Sequence, residues 1–141
     1  MKKIFISSDH AGFNLKEDIK SYLIKKKIIF SDMGTQSINR CDYPIFAHKV
    51  AKKVKNNKNY IGILVCGSGT GMSIVANKYK NIRAAQCYNE KSTKLSRLHN
   101  DANIITLGSR LITKNKAFKY IEIFLKTKFE GGRHKQRLKK I

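Results

Sequence analysis

The sequence has few of the features that stabilise or direct proteins outside the cytoplasm. It contains no tryptophan, one proline and three cysteines in 141 residues. It has no apolar run of about 18 residues, the length of a membrane-spanning helix, and the apolar stretch after Lys3 is too short for a secretory signal. The number of cysteines is odd, and no two of the residues Cys41, Cys66 and Cys87 form a C-x-x-C pair. The sequence therefore supports neither a disulfide framework nor a zinc site. We therefore expect a protein of the reducing cytoplasm, with no membrane association and no metal.

Acidic residues are also scarce. The chain has 9 Asp and Glu residues and 30 Lys and Arg residues, so its formal net charge is +21 at pH 7. One interpretation is a nucleic-acid-binding surface. The lysines, however, far outnumber the arginines, are spread over every segment and accompany no recognisable nucleic-acid-binding motif. A solvated basic surface is favoured, and we expect no nucleic-acid partner, although such a charge attracts anionic ligands.

Short apolar runs alternate with amphipathic stretches along the chain. The apolar runs predict strands over 3–7, 28–31, 61–65, 83–87 and 103–107, and the amphipathic stretches predict helices over 14–26, 43–55, 70–77, 90–98 and 114–126. Such alternation implies a parallel sheet covered by helices on both faces. We expect a doubly wound, Rossmann-like α/β fold. It would be a three-layer α/β/α sandwich with a five-stranded parallel sheet, in one domain over 1–141 with a basic tail over 130–141.

The run Cys-Gly-Ser-Gly-Thr-Gly, from Cys66 to Gly71, joins the third predicted strand to the third helix. Such a turn presents backbone N–H groups to an anion and places a thiol beside them, although cysteine and glycine also serve packing alone. The phosphate-loop motif of nucleotide-binding proteins requires a lysine after its last glycine, and none follows here. The G-x-G-x-G spacing also differs from the dinucleotide-binding pattern G-x-G-x-x-G. A nucleotide site is therefore disfavoured, whereas a small phosphorylated ligand is compatible with the turn.

Polar side chains also stand where other predicted strands end. Asp9 and His10 follow the first strand, and Arg110 follows the fifth. In doubly wound folds, ligands bind at the carboxyl ends of the strands. We expect these residues to lie near Cys66, although Asp9 is also well suited to cap the next helix.

Two further groups have functional and purely structural interpretations. His99, Asn100 and Asp101 follow the fourth helix, where the histidine is either an acid/base or a partner of the helix dipole and the other two suit a turn. Arg133 and Arg137 lie four residues apart, so a helical tail presents both on one face, as phosphate binding requires. The alternative for these arginines is a solvated basic tail.

Six segments, in this order and without large gaps, resemble one protein family. They are Ser8-Asp9-His10-Ala11-Gly12, Asp42-Tyr43-Pro44, Cys66-Gly67-Ser68-Gly69-Thr70-Gly71, Leu95-Ser96-Arg97-Leu98-His99-Asn100-Asp101-Ala102-Asn103, Gly108-Ser109-Arg110 and Glu130-Gly131-Gly132-Arg133-His134. Together they are similar to the sugar-phosphate isomerase family that contains type B ribose-5-phosphate isomerases and galactose-6-phosphate isomerase subunits. The resemblance runs from Lys3 to Arg137.

The resemblance implies an aldose–ketose isomerase that interconverts D-ribose 5-phosphate and D-ribulose 5-phosphate through a cis-enediolate, in the pentose phosphate pathway. Cys66 matches the catalytic base that moves a proton between C2 and C1, His99 the acid/base that opens the sugar ring, and Ser68 a position near the developing oxyanion. The substrate-binding positions that the resemblance implies are Asp9, His10, Tyr43, Gly67, Ser68, Gly69, Thr70, Gly71, Asn100, Arg110, Arg133 and Arg137.

One branch of this family replaces the cysteine base by an acid from the following helix. Met72 and Ser73 stand there in this chain, which favours the cysteine branch. The resemblance further implies no metal or organic cofactor, and homodimers or tetramers with sites at the subunit interface. Two rival interpretations stay open, an isomerase of a hexose 6-phosphate such as allose or galactose 6-phosphate and a basic nucleic-acid-binding module.

Overall fold

The structure is a computed structural model, and it describes residues 2–141. Within that range the chain forms five strands and six helices. In chain order they are β1 (Lys3–Ser8), α1 (Phe13–Lys25), β2 (Phe30–Asp32), α2 (Tyr43–Val54), β3 (Tyr60–Cys66), α3 (Thr70–Ala76), β4 (Ala84–Gln86), α4 (Glu90–Leu98), β5 (Ile104–Gly108), α5 (Lys114–Lys126) and α6 (Arg133–Leu138). The predicted elements agree with these bounds to within about two residues, which is the usual uncertainty of element ends.

The second strand shows the largest shift from its predicted position. It begins at Phe30 rather than at residue 28, because the chain after α1 first completes a turn. The N–H of Lys27 donates to Ile24 O, and the N–H of Ile28 donates to Leu23 O, at 2.9 Å each. The strand therefore starts later and extends to Asp32.

The strands form one parallel sheet in the order β2-β1-β3-β5-β4. This arrangement confirms the doubly wound α/β fold. The register pairs Ser8 with Val65 and Cys66 with Gly108, so the carboxyl ends of β1, β3 and β5 reach the same level. We call this side of the sheet the carboxyl edge and the opposite side the amino edge.

Alternate strand residues point to opposite faces of the sheet and build two apolar cores. Ile6 and Val65 belong to the core beneath α1 and α5, whereas Phe5 and Leu64 belong to the core beneath α2 and α3. The predicted apolar stripes of α1, α2 and α5 supply much of both cores. No helix within residues 2–141 is long and apolar enough to cross a membrane.

Helix α1 also buries a lysine that its apolar stripe does not predict. The Lys16 side chain is fully buried, and its Nζ lies 2.7 Å from Oδ2 of Asp32 at the end of β2. Lys20 Nζ lies 2.8 Å from the same oxygen. The other oxygen of Asp32 accepts the N–H of Gly34 at 2.9 Å, and Gly34 O accepts the N–H of Ser8 at 2.7 Å. The ion pair thus holds the loop after β2 against the end of β1 at the carboxyl edge.

This ion pair makes stability depend on pH. Burial alone raises the pKa of Asp32, but hydrogen bonds from Lys16, Lys20 and the Gly34 N–H outweigh burial and lower that pKa below its ordinary value. Because folding lowers the pKa, the carboxylate stabilises the fold fully at neutral pH. That contribution is lost as the pH falls below the ordinary aspartate value of about 4 and then through the lower folded-state value.

We predict that Asp32→Asn lowers the free energy of unfolding at pH 7 by about 3 kcal/mol, because it removes the more buried of the two carboxylates that pair with the Lys16 ammonium and leaves only Glu17, at 2.9 Å. Urea unfolding measures the loss, which is expected to shrink as the pH is lowered through the acid range. The control is Glu122→Gln, which breaks the exposed pair between Glu122 and Lys126 and leaves the unfolding midpoint almost unchanged. Equal stability of Asp32→Asn and wild type at pH 7 would contradict the assigned role of the pair.

Candidate active site

The carboxyl edge opens into a cavity of about 340 Å³ between the ends of β1, β3 and β5. The strand order reverses between β1 and β3, which is where doubly wound folds bind their ligands. The cavity is lined by Asp9, His10, Ala11, Tyr43, Cys66, Gly67, Ser68, Gly71, Arg110 and Leu111. The structure thus brings together the polar residues that follow three separate strands.

Cys66 ends β3 and faces this cavity. The residue is 5% exposed, and its Sγ accepts a hydrogen bond from the N–H of Gly69 at 3.1 Å. Gly69 has φ +79°, and a Cβ at this position would lie 3.0 Å from the backbone of Leu107, so the tight curl over the sulfur requires glycine. An N–H directed at sulfur stabilises negative charge there. The turn therefore places the thiol at the cavity together with a hydrogen-bond donor, the Gly69 N–H, that is already directed at the sulfur.

A glutamine that sequence reasoning missed holds the turn from its other side. The side chain of Gln86, at the end of β4, donates to Ser68 O at 2.8 Å and accepts from the Thr70 hydroxyl at 3.2 Å. The Ser68 hydroxyl accepts the N–H of Thr70 at 3.3 Å. Ser68 lines the cavity, and Thr70 and Gln86 hold Ser68 in place. Because Gln86 ends a strand at the carboxyl edge, the strand-end rule applied to β4 would have found it.

The loop after β5 carries a guanidinium group to the cavity. Arg110 lies directly over Gly67, where a Cβ would come within 2.8 Å of Nη1. The N–H of Arg110 donates to Gly67 O at 3.0 Å, and the N–H of Ser109 donates to Cys66 O at 2.8 Å. The Ser109 hydroxyl donates to Ala11 O at 2.8 Å. These bonds fix the loops after β1, β3 and β5 relative to one another and place a positive charge beside the thiol.

Asp9 and His10 form the wall of the cavity nearest to β1. Asp9 is 6% exposed, and its Oδ1 accepts the N–H of Gly12, the N-cap residue of α1, at 3.0 Å, so it closes the turn that leads into the helix and also lines the cavity. His10 Nδ1 lies 3.2 Å from the backbone nitrogen of Cys41. The same Nδ1 lies 3.2 Å from the carbonyl oxygen of Cys41, so the backbone of Cys41 holds the ring in place. On the far side, the ring of Tyr43 packs against Gly71.

The structure places His99 at the amino edge, away from this cavity. His99 caps the carboxyl end of α4 and precedes β5, whose first residue, Ile104, pairs with Gly62, whereas Cys66 pairs with the last residue of β5. The first and last residues of β5 are four residues apart along the strand, which is roughly 13 Å. Proton transfer needs contact within about 3 Å or one bridging water. His99 and Cys66 of the same chain therefore do not face one small ligand.

Two residues that the sequence reasoning left without a role surround His99. Its ring stacks on that of His134 in α6, with centroids 4.2 Å apart and ring planes at 13°. Glu130 Oε2 lies 3.9 Å from Nε2 of His99 and 3.8 Å from Nε2 of His134. Burial and the neighbouring His99 lower the pKa of His134, and Glu130 opposes them. The lowered pKa favours the neutral form of the His134 ring.

The remaining expected site residues share the amino edge with His99. Helix α6 presents Arg133 and Arg137 one turn apart, and both side chains are exposed. Asn100 follows His99 and is also exposed. One chain thus carries two separate groups of expected site residues, a cysteine group at the carboxyl edge and a histidine–arginine group at the amino edge.

The sequence and the fold are both shared with known proteins. A family model described as Ribose/Galactose Isomerase matches residues 4–141. A protein of Escherichia coli named ribose-5-phosphate isomerase B is 43% identical over 141 residues, which cover 100% of this chain and 95% of that protein.

Two solved structures are similar over nearly the whole chain. A ribose 5-phosphate isomerase from Thermotoga maritima has a TM-score of 0.96 and 49% identity, covering 99% of this chain and 96% of that one. A ribose-5-phosphate isomerase B from Mycoplasma genitalium, solved with bound ribulose-5-phosphate, has a TM-score of 0.94 and 44% identity, covering 98% and 92%. With a family model that spans residues 4–141 and with full-length relatives above 40% identity, the chain belongs to the ribose/galactose isomerase family.

Proposed function

We propose that this protein is an aldose–ketose isomerase that interconverts D-ribose 5-phosphate and D-ribulose 5-phosphate, a step of the pentose phosphate pathway. The observation that carries the proposal is the Cys66 thiol, which faces the cavity with the Gly69 N–H directed at its sulfur. The ribulose-5-phosphate bound in the Mycoplasma genitalium relative supports a pentose phosphate as substrate. The Arg110 guanidinium beside the thiol suits an anionic sugar.

The reaction moves one proton between neighbouring carbon atoms. The Cys66 thiolate takes the proton from C2 of the open-chain aldose, the electron pair of that bond forms the C1–C2 double bond, and negative charge develops on the C1 oxygen. Transfer of the hydroxyl proton from the C2 oxygen to the C1 oxygen and return of the carbon-bound proton to C1 give the ketose. Donors such as the Ser68 hydroxyl stabilise the enediolate, and one well-placed donor typically contributes about 3–4 kcal/mol.

Two further tasks belong to the histidine–arginine group. Ribose 5-phosphate is largely cyclic, so its ring must open before the proton transfer, and His99 suits this step because imidazole both gives and accepts protons near neutral pH. Arg133 and Arg137 of this group bind the substrate at its phosphate together with Arg110 of the cysteine group, because a planar guanidinium matches phosphate oxygens in pairs.

Because one chain holds Cys66 and His99 at opposite edges, we propose that a homodimer builds each site. The carboxyl edge of one protomer then faces the amino edge of its partner. Exposed apolar residues on the helices that flank the cavity support this arrangement, since Ile45 of α2 is 53% exposed and Ile74 of α3 is 57% exposed. Two-fold symmetry makes two equal sites in each dimer.

We predict that Cys66→Ala lowers kcat for ribose 5-phosphate by about 10²–10⁴-fold, the usual contribution of a general base. A coupled isomerase assay measures the rate, and circular dichroism with urea unfolding checks that the fold is retained. Cys87→Ala is the matched control, because the Cys87 thiol is buried in the core beneath α1 and α5. A Cys66→Ala enzyme with a rate near that of wild type would rule out the cysteine as base.

The shared site predicts that two inactive variants restore each other. Cys66→Ala and His99→Asn are each expected to lose activity on cyclic ribose 5-phosphate. If the two chains are mixed and refolded together, half of the dimers are hybrids and one of the two sites in each hybrid is intact. About a quarter of the wild-type activity is therefore expected. No recovery, despite hybrids detected by mass spectrometry, would show that each chain supplies its own Cys66 and His99.

The family description also names galactose, so a hexose 6-phosphate is the second candidate substrate. We expect ribose 5-phosphate to have a higher kcat/KM than allose 6-phosphate and galactose 6-phosphate, because the Mycoplasma genitalium relative was solved with bound ribulose-5-phosphate. Parallel measurement of the three values decides between the substrates. A hexose phosphate with the highest value would replace the pentose assignment while leaving the chemistry unchanged.

A further inference from the structure

The amino edge holds three possible metal ligands. Together they do not form a short metal-binding motif in the sequence. They are Nε2 of His99, a carboxylate oxygen of Glu130 and Nε2 of His134, and these atoms lie within 4.8 Å of one another. They come from the end of α4, the loop after α5 and the first turns of α6. The Glu130 N–H donates to Leu98 O at 3.0 Å, which fixes that loop beside the end of α4. We call this group the His99–Glu130–His134 cluster.

The buried histidine of this cluster has an unused ligand atom. The His134 side chain is 7% exposed, and among residues 2–141 its Nε2 has no hydrogen-bond partner. Leaving a buried polar atom without a partner destabilises a fold, so such an atom points to something that binds there. The Glu130 oxygen, 3.8 Å away, is too far for a hydrogen bond and leaves room for an ion between the two atoms.

The distances are close to those of a metal site. An ion equidistant from three atoms separated by 3.8, 3.9 and at most 4.8 Å lies about 2.5 Å from each, against about 2.0–2.2 Å for zinc bonds to imidazole nitrogen and carboxylate oxygen. Movements of a few tenths of an ångström close that gap. The stacked rings must also tilt to aim both nitrogens at the ion, and His99, whose side chain is 37% exposed, has the space to do so.

We propose that the His99–Glu130–His134 cluster binds a divalent transition metal ion such as Zn²⁺, and that the bound ion inhibits the enzyme by occupying Nε2 of His99. Two imidazoles and one carboxylate suit zinc, with at least one coordination position left for water. The inhibitory half of this inference rests on the proposed function, because it requires His99 as the acid/base of ring opening. The binding half does not.

The surroundings of the cluster select the kind of metal. Arg133 and Arg137 lie on the same helix as His134 and repel cations, and Glu130 is the one carboxylate of the cluster. Mg²⁺ and Ca²⁺ depend on several oxygen ligands and negative charge, so the cluster binds them poorly. Zn²⁺, Co²⁺ and Ni²⁺ bind imidazole nitrogen well, and two of the three ligands of the cluster are imidazoles.

Titration of the full-length protein with Co²⁺ tests binding without reference to activity. We expect visible d–d absorption bands that saturate at one ion per chain and disappear when Zn²⁺ displaces Co²⁺, with no such effect of Mg²⁺. Glu130→Gln and His134→Asn are expected to weaken Co²⁺ binding at least about tenfold. Glu130 is exposed, so Glu130→Gln retains the fold even if His134→Asn does not.

His48→Asn is the matched control, because His48 lies on α2 and bonds Tyr79 instead of the cluster. This variant is expected to bind Co²⁺ as wild type does. Absence of d–d bands in wild type, or equal Co²⁺ affinity in wild type and Glu130→Gln, would overturn the proposal. So would a thiolate charge-transfer band that disappears in Cys66→Ala, because the ion would then lie on the cysteine.

The activity measurement uses D-ribose 5-phosphate, with each variant compared with its own metal-free rate. Zn²⁺ is expected to inhibit wild type over the range in which it displaces Co²⁺, and EDTA is expected to restore the rate. Inhibition of Glu130→Gln is expected to need at least about tenfold more Zn²⁺. Unchanged sensitivity of that variant overturns the inhibitory site. If metal-free wild type has no isomerase activity while the Co²⁺ bands appear as expected, the proposed function fails and the metal site stands.

Discussion

The pairing of β1 with β3 is the constraint on which the rest of the structure depends. Its register sets Ser8 opposite Val65, and the N–H of Asp9 continues the ladder to Val65 O at 3.2 Å. Because Gly12 lies against that same carbonyl group, where a Cβ would collide with the backbone, α1 begins directly above the end of β3. A slip of one residue would turn the side chains of β3 to the other face and carry Cys66 away from the cavity. The position of Asp9 relative to Cys66 follows from this register.

The few acidic residues have a structural role out of proportion to their number. Asp32 accepts two lysine ammonium groups beside the carboxyl edge. Asp101 accepts Arg97 at 2.9 Å and Arg83 at 3.2 Å, which fixes the turn between α4 and β5 at the amino edge. Both carboxylates thus hold loops that border expected site residues, and their partners are cations on neighbouring elements. Most of the +21 charge is therefore uncompensated at the surface, where it favours anionic ligands.

The fold gives the two edges of the sheet different chemistry. At the carboxyl edge, hydrogen bonds connect the backbones of the residues at the strand ends. This arrangement suits a thiol that must be held rigidly. The amino edge ends in a helix terminus and a short helix, where the side chains of the two arginines are exposed and that of His99 is partly exposed, which leaves them free to turn. In the proposed dimer the rigid half of each site supplies the base and Arg110, and the other half supplies two further arginines and the histidine that opens the ring. The same freedom allows His99 to turn toward either a sugar or a metal ion.

The sequence by itself determined the strands, most of the helices and the layered parallel fold, because apolar periods of about 2 and 3.6 residues are local properties that report which face is buried. It also indicated Asp9, Cys66 and Arg110 as neighbours, because parallel strands end at a common edge. Only the tertiary structure decided that Lys16 is buried, since a lysine enters the core only where a distant carboxylate meets it. Likewise, the tertiary structure alone stacked His99 on His134, whereas the place of His99 at the amino edge follows from its position after a predicted helix and before a predicted strand. Such pairings depend on how separate elements pack, and no local pattern in the chain encodes that packing.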